Sequence, residues 1–411
     1  MTEFYDGLES RNAEARENEL FSALPGLIEN TVNKAPGWAK HLDGIEPAAV
    51  NSREALASLP VLRKSALSEH QAADPPFGGF APSATGGYGR LLMSPGPIFE
   101  PEGRGDDRWS TARAFFAAGF RSGDIIHNCF SYHLSPGAFL MEAGARSLRC
   151  AVVPAGVGNT EMQIEAIARL KPTGYCGTPD YLKVLLDAAS GAGKDASSIT
   201  RALVSGGALF PALRDEYGER GIAVLQCYAI AELGLVAYES QAQEGMIVAE
   251  SAIVEIVKPG TGDPVADGEV GEVVVTTFNS DYPMIRLATG DLSAVMAGTS
   301  PCGRTNMRIK GWMGRADQAA KMKGMFIRPE QVAEIAKRHS ELGRIRLEIS
   351  RDAAQDIMTL KAECGCRSDS LAGAITETLR TVTKMKGGVE LVAPGDLPND
   401  GLIIADLRDY E

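Results

Sequence analysis

Two short tracts place acids where they could do chemistry: Tyr228-Ala229-Ile230-Ala231-Glu232, and further on Ile285-Arg286-Leu287-Ala288-Thr289-Gly290-Asp291. An ionised carboxylate accepts several hydrogen bonds at once, so Asp291 suits a pair of hydroxyls. Carboxylate and phosphate oxygens together are what a hard divalent cation prefers, which suits Glu232. Cys302-Gly303-Arg304-Thr305 and Gly314-Arg315-Ala316-Asp317 follow in order and add cations. Together the tracts read as half of a nucleotide-handling site. The plain alternatives are a turn-capping role for Asp291 and a surface ion pair between Arg315 and Asp317.

A second cluster lies in His127-Asn128-Cys129-Phe130-Ser131-Tyr132-His133. With Tyr228 and Ile230 opposite, Phe130, Tyr132 and His133 would line an aromatic slot for an aryl or other apolar acid. Ordinary core packing explains the same residues. No acid is clearly paired with His127 or His133, so a catalytic dyad is not expected.

The elements that must position these groups follow from composition and periodicity. A chain of 411 residues, 44% apolar, has material for a large core and more than one domain. The net charge of -12 argues against a nucleic-acid partner, which needs clustered Lys and Arg. No apolar run of about 18 residues is present, so no membrane span is expected. The start, Met1-Thr2-Glu3-Phe4-Tyr5-Asp6, lacks a basic-then-apolar export pattern. Seven irregularly spaced cysteines point to reduced thiols and a cytoplasmic setting. Cys364-Gly365-Cys366 has no second pair nearby with which to bind a metal.

Leu20, Phe21, Leu24 and Leu27 recur at helix spacing. Residues 71–108 read as loop and turn around one short strand, Leu91-Leu92-Met93. Beyond them, Ile125-Ile126, Ala151-Val152-Val153, Ala202-Leu203-Val204 and Ala223-Val224-Leu225 read as strands separated by helices. That alternation predicts an α/β layer fold with a largely parallel sheet. Ala252–Val257 and Gly271–Thr277 predict an antiparallel β subdomain. A small α+β domain, with helices near Pro329–His339 and Ser370–Lys384 and strands near Arg346–Ser350 and Met358–Glu363, is expected to close the chain.

Longer ordered tracts carry a resemblance. Val153-Pro154-Ala155-Gly156 with Gly158-Asn159-Thr160, Cys176-Gly177-Thr178-Pro179-Asp180-Tyr181, and the segment from Gly268 to Gly314 resemble the phenylacetate-CoA ligases of the adenylate-forming, AMP-binding superfamily. The resemblance implies a large N-terminal domain over residues 1–314 and a small α+β C-terminal domain over 315–411, which rotates between half-reactions. It implies ATP or AMP, Mg2+ and CoA as cofactors, a carboxylic acid as substrate, and a homodimer. By it, Ser205-Gly206-Gly207-Ala208 lies against adenine, Tyr228 flanks the nucleotide, and Asp291 takes the ribose hydroxyls. Arg315 takes the ribose and phosphate side, and Glu232 is the catalytic acid that helps hold magnesium.

Three departures from the family pattern stand out. Ala231 replaces a threonine whose hydroxyl meets the α-phosphate. The tract aligned with the phosphate loop, Ser94-Pro95-Gly96-Pro97-Ile98-Phe99-Glu100-Pro101, has two prolines without amide donors and Glu100 where lysine is expected. Glu100 and Glu102 would repel a triphosphate unless metal or Arg104 compensates. A competing loop, Ser83-Ala84-Thr85-Gly86-Gly87-Tyr88-Gly89-Arg90, precedes the strand and reads as a turn. In the tail, Leu402 stands where a lysine assists adenylation. Three readings follow: a carboxylate-CoA ligase, a protein that binds AMP or acyl-CoA without using ATP, and an enzyme acting on a preformed acyl-adenylate or acyl-CoA.

Overall fold

The computed structural model describes residues 4–95, 97–207, 209–316, 318, 320–323, 325–352, 355–398 and 402–408. The chain divides into two compact units, Met1–Met313 and Gly314–Glu411.

The first unit opens with the helix Ala13–Lys34, whose Leu20, Phe21, Leu24 and Ile28 are buried. A short strand, β1 (Leu62–Arg63), leads directly into the helix Lys64–Ala73. Next comes a hairpin of β2 (Arg90–Ser94) and β3 (Ile98–Glu102). This corrects the expectation of one strand within a loop. Pro101 and two glutamates disguise β3 in the sequence, since neither residue type favours strands. Pro101 pairs opposite Leu91 in an isolated two-stranded ribbon, which tolerates its missing N–H. The tract Ser83–Arg90 holds a 3-10 turn at Thr85–Gly87, as its glycines predict.

The strands β4 (Ile125–Asn128), β5 (Ala151–Pro154), β6 (Gly174–Gly177), β7 (Arg201–Val204) and β8 (Ala223–Ile230) pair in parallel. Antiparallel strands β9 (Gly234–Glu239) and β10 (Met246–Val248) extend this layer. A second sheet orders β1 beside three antiparallel strands: β11 (Ala252–Val257), β12 (Gly271–Thr277) and β13 (Leu287–Ser293). Finally β14 (Val295–Met296) and β15 (Arg308–Ile309) complete the first sheet in the order β14-β15-β10-β9-β8-β7-β6-β4-β5. Buried β-branched and aliphatic residues run through β11 and β12, as doubly covered strands require.

Helices after the parallel strands start where proline permits. Pro136, Pro179 and Pro211 are each the first residue of a helix, where the absent N–H would have had no helical partner. The sequence reading passed over β6 because Gly174 and Gly177 bracket only two strand-forming side chains. Gly174 is required there: a Cβ would lie 2.2 Å from the Phe120 ring.

The second unit has a four-stranded sheet and the helices Pro329–Arg338 and Asp369–Thr383. Its core gathers Val332, Ile335, Leu347, Leu360, Ile375 and Leu379. No helix among the described residues is long and apolar enough to cross a membrane.

Candidate active site

The site begins with one buried arginine. Arg286 donates to Glu255 through Nε and Nη2, both at 3.0 Å, and to the carbonyls of Ala57, Leu59 and Gly262. Its own carbonyl accepts from Leu62 N–H at 3.1 Å, which starts the parallel pairing of β1 with β13. One side chain thus ties the strand before Lys64 to the strand that carries Asp291.

On β13, Thr289 Oγ1 donates to the Val273 carbonyl and accepts from the Asp291 amide at 3.1 Å. The Asp291 carboxylate accepts from Tyr228 Oη at 2.7 Å and from Trp312 Nε1 at 3.0 Å. An ionised carboxylate accepts several hydrogen bonds at once, and these two donors fix its orientation. Tyr228 comes from β8 and Trp312 from the segment after β15, so three parts of the first unit meet at this group.

Glu232 lies in the turn between β8 and β9. Leu233 N–H closes that turn onto the Ile230 carbonyl, and Gly234 takes a φ of +76°. No other residue fits at Gly234, because a Cβ would meet the Trp109 backbone at 2.8 Å. The buried Glu232 places Oε2 2.7 Å from Lys64 Nζ, while Oε1 is buried without a hydrogen-bond partner. A buried carboxylate oxygen with no protein donor fits a hard cation, and Glu232 is the residue here that would hold magnesium. Among the described residues no larger group of His, Cys, Asp and Glu gathers as a metal site, and Cys364 and Cys366 are free thiols.

Glu100 is buried in the middle of β3. Its carboxyl oxygens accept from Ser94 N–H at 3.0 Å and from Ser94 Oγ. Burial, and then the charge of Glu232, push its carboxyl up to about 8, against the opposing pull of Ser94 and Lys64. Glu102 behaves differently. It pairs with Arg90, whose Nη1 lies 2.7 Å from both carboxylate oxygens, while Arg104 Nε donates to the Gly87 carbonyl.

At the carboxyl ends of the parallel strands, Phe130 meets Gly206. A Cβ on Gly206 would lie 3.4 Å from Phe130 Cε1 and 3.6 Å from Thr178 Cγ2, and its φ of +76° favours glycine. Gly207 stands beside Pro179 in the same loop. Ala208 lies outside the described residues. Tyr132 Oη donates to Glu142 and accepts from Asn128, and burial pushes its pKa upward. Gln163 fastens the next loop by donating to the carbonyls of Gly156 and Gly158, while its Oε1 meets His127 Nε2 at 2.9 Å. His127 is buried, and desolvation lowers its pKa.

The sequence-predicted residues therefore fall into groups. Tyr228 and Asp291 meet directly, as do Phe130 and Gly206. His133 is exposed, and Ile230 is buried in the core cluster against which Tyr228 packs. Arg315 belongs to the second unit, with its guanidinium 4.9 Å from the centre of the Phe326 ring. In that unit Leu402 is exposed and its carbonyl accepts from Arg346 Nε. Lys64, Trp312 and Arg286 escaped the sequence reading. Lys64 had no motif around it, and its partner Glu232 lies 168 residues away in sequence.

These groups have counterparts in known proteins. A family model described as AMP-binding enzyme matches residues 110–279. The phenylacetate-coenzyme A ligase of Aromatoleum evansii is 30% identical over 358 residues, covering 83% of this chain and 80% of that protein. The phenylacetate-coenzyme A ligase of Escherichia coli (strain K12) is 28% identical, covering 87% of this chain and 84% of its own length. A solved structure of 2-hydroxyisobutyryl-CoA ligase, in complex with 2-HIB-AMP and CoA, matches with a TM-score of 0.87 at 25% identity, covering 100% of this chain and 93% of that one. By sequence and by fold alike, this chain belongs to the phenylacetate-CoA ligase family of adenylate-forming CoA ligases.

Proposed function

We propose that the chain joins an aryl or other apolar carboxylic acid to coenzyme A through an acyl-adenylate. The observation that carries this reading is the Asp291 carboxylate, fixed between Tyr228 Oη and Trp312 Nε1. Held this way, it can accept the two hydroxyls of a ribose without paying again to be ordered. Gly206 and Gly207, with Ala208 beyond them, offer small residues for the flat adenine ring. Phe130 and Tyr132 supply apolar surface for the acid, with His133 at the exposed end of that segment and Ile230 behind Tyr228.

In the first half-reaction a carboxylate oxygen attacks the α-phosphorus of ATP, and the bond to pyrophosphate breaks. In the second, the CoA sulfur attacks the acyl carbon, AMP leaves, and the thiol proton passes to solvent. Magnesium, held at Glu232 Oε1, would supply charge neutralisation to the phosphates. Lys64 keeps the Glu232 carboxylate oriented toward them. A tie between two chains as a homodimer belongs to the same reading.

A second reading is favoured by one observation, the engagement of Ser94 by Glu100. It makes the chain a homologue that does not use ATP. It would bind AMP or acyl-CoA as a sensor, or act on a preformed acyl-adenylate or acyl-CoA.

Purified protein incubated with ATP, magnesium, CoA and a panel of aryl and branched acids tests both. Pyrophosphate release with thioester formation supports the ligase. A parallel arm supplies synthetic phenylacetyl-adenylate and CoA. Thioester in that arm alone supports action on a preformed adenylate. Silence in both arms, with AMP binding by calorimetry, leaves the sensor reading.

A further inference from the structure

The hairpin of β2 and β3 stands where a nucleotide's outer phosphates would meet backbone and hydroxyl donors, on the adenylate reading above. Among the described residues of its turn, the donors are spent. Pro95 and Pro97 have no N–H to give. Ser94, at the mouth of the turn, commits both its amide and its hydroxyl to the two oxygens of Glu100.

The cations around the hairpin are spent as well. Lys64 is balanced by Glu232 at 2.7 Å, Arg90 by Glu102 at 2.7 Å, and Arg108 by Asp281 at 3.2 Å. Arg104 donates to a backbone carbonyl. Among the described residues no cation forms an ion pair with Glu100, and it is 2% exposed.

We infer that the Glu100 carboxyl group is a built-in plug that fills the outer-phosphate position of the hairpin and occupies its Ser94 donors, so that the site takes adenosine monophosphate esters, AMP and acyl-adenylates, in preference to ATP. A triphosphate must first detach Glu100 from Ser94 and then bring further negative charge beside Glu232. A monophosphate ester asks for neither. The inference deepens the adenylate reading and rests on it.

Calorimetry on the full chain, with AMP and with ATP in the presence of magnesium, tests this in the wild type and in Glu100→Ala. The wild type is expected to bind AMP at least about tenfold more tightly than ATP, since losing one hydrogen bond to a charged group is worth about that much. Glu100→Ala is expected to tighten ATP binding by about tenfold and leave AMP within about twofold. Glu100→Gln keeps the size of the side chain but puts an amide nitrogen where one oxygen accepts from Ser94, which releases one of the two Ser94 donors, and is expected to tighten ATP about threefold.

Equal wild-type affinities for ATP and AMP overturn the inference. So does unchanged ATP affinity in both variants when AMP still binds, the result expected if Glu100 only staples the hairpin. Absence of AMP binding in the wild type overturns the adenylate reading and this inference together. ATP binding that tightens in the variants without any turnover sinks the ligase reading and leaves this inference standing.

Discussion

Lys64 Nζ lies 2.7 Å from Glu232 Oε2, joining the first residue of a helix to the turn between β8 and β9. The Glu232 side chain is fully buried, while that of Lys64 keeps 21% of its exposure. Removing the ammonium leaves a buried carboxylate without its counter-charge. Breaking such a pair costs about 3–5 kcal/mol when both partners are buried, and less where one is partly solvated. Lys64→Met is therefore expected to destabilise the first unit by roughly 2 kcal/mol in urea unfolding. Lys64→Arg should recover most of the loss. A methionine variant as stable as the wild type would mean that solvent already screens Glu232.

The Arg286 guanidinium gives five hydrogen bonds, which join the residue before β13 to Glu255 on β11, to the segment before β1 and to the turn at Gly262. Arg286→Met would strand Glu255, which is buried, and free the segment before β1. The expected cost is roughly 3–5 kcal/mol. Because Lys64 and Asp291 lie downstream of the same joint, hydrogen exchange should accelerate together in β1 and β13. Faster exchange in β13 alone would show that the coupling does not pass through Arg286.

Much of this architecture could be read in advance, for identifiable reasons. Alternating apolar runs and proline-headed helices announce the parallel layer, and the β-branched stretches of β11 and β12 announce their pairing. The strand β3 was hidden because Glu100, Pro101 and Glu102 carry buried polar or ring side chains instead of an apolar face. Tyr228 and Asp291 stood out through their neighbours in sequence. Lys64 and Trp312 did not, since each reaches its partner through tertiary pairing that no local pattern encodes. The pairing of Arg90 with Glu102 was hidden for the same reason: only the register of β2 and β3 places them opposite each other.

Glu100 gives a pH dependence with a definite sign. Its folded carboxyl sits at about 8 against an ordinary value of 4.5, raised first by burial and then by Glu232. The folded chain thus holds this proton more tightly than the unfolded chain. The associated stability is fully present below about pH 4.5 and is lost as pH rises through about 8. Glu100→Gln cannot lose a proton there. The difference in unfolding free energy between variant and wild type should grow, in favour of the variant, by on the order of a few kcal/mol across that window. Parallel profiles for the two proteins would remove the raised pKa.

Tyr228 and Trp312 hold Asp291 from its two oxygens, at 2.7 Å and 3.0 Å, and the two contacts need not matter equally. The shorter comes from a phenol on β8, a strand paired on both sides, so its position is fixed by the sheet. Tyr228→Phe removes that donor while keeping the ring. A hydrogen bond to a charged group contributes about 1.5–3 kcal/mol, but only the part needed to orient Asp291 reaches the ligand. AMP affinity is therefore expected to fall about threefold to tenfold, with the melting temperature nearly unchanged. Trp312→Phe should act in the same direction. Asp291→Asn should exceed either, since it weakens the acceptor itself. If both aromatic variants bind AMP as the wild type does while Asp291→Asn does not, the carboxylate is oriented by the fold of β13 alone.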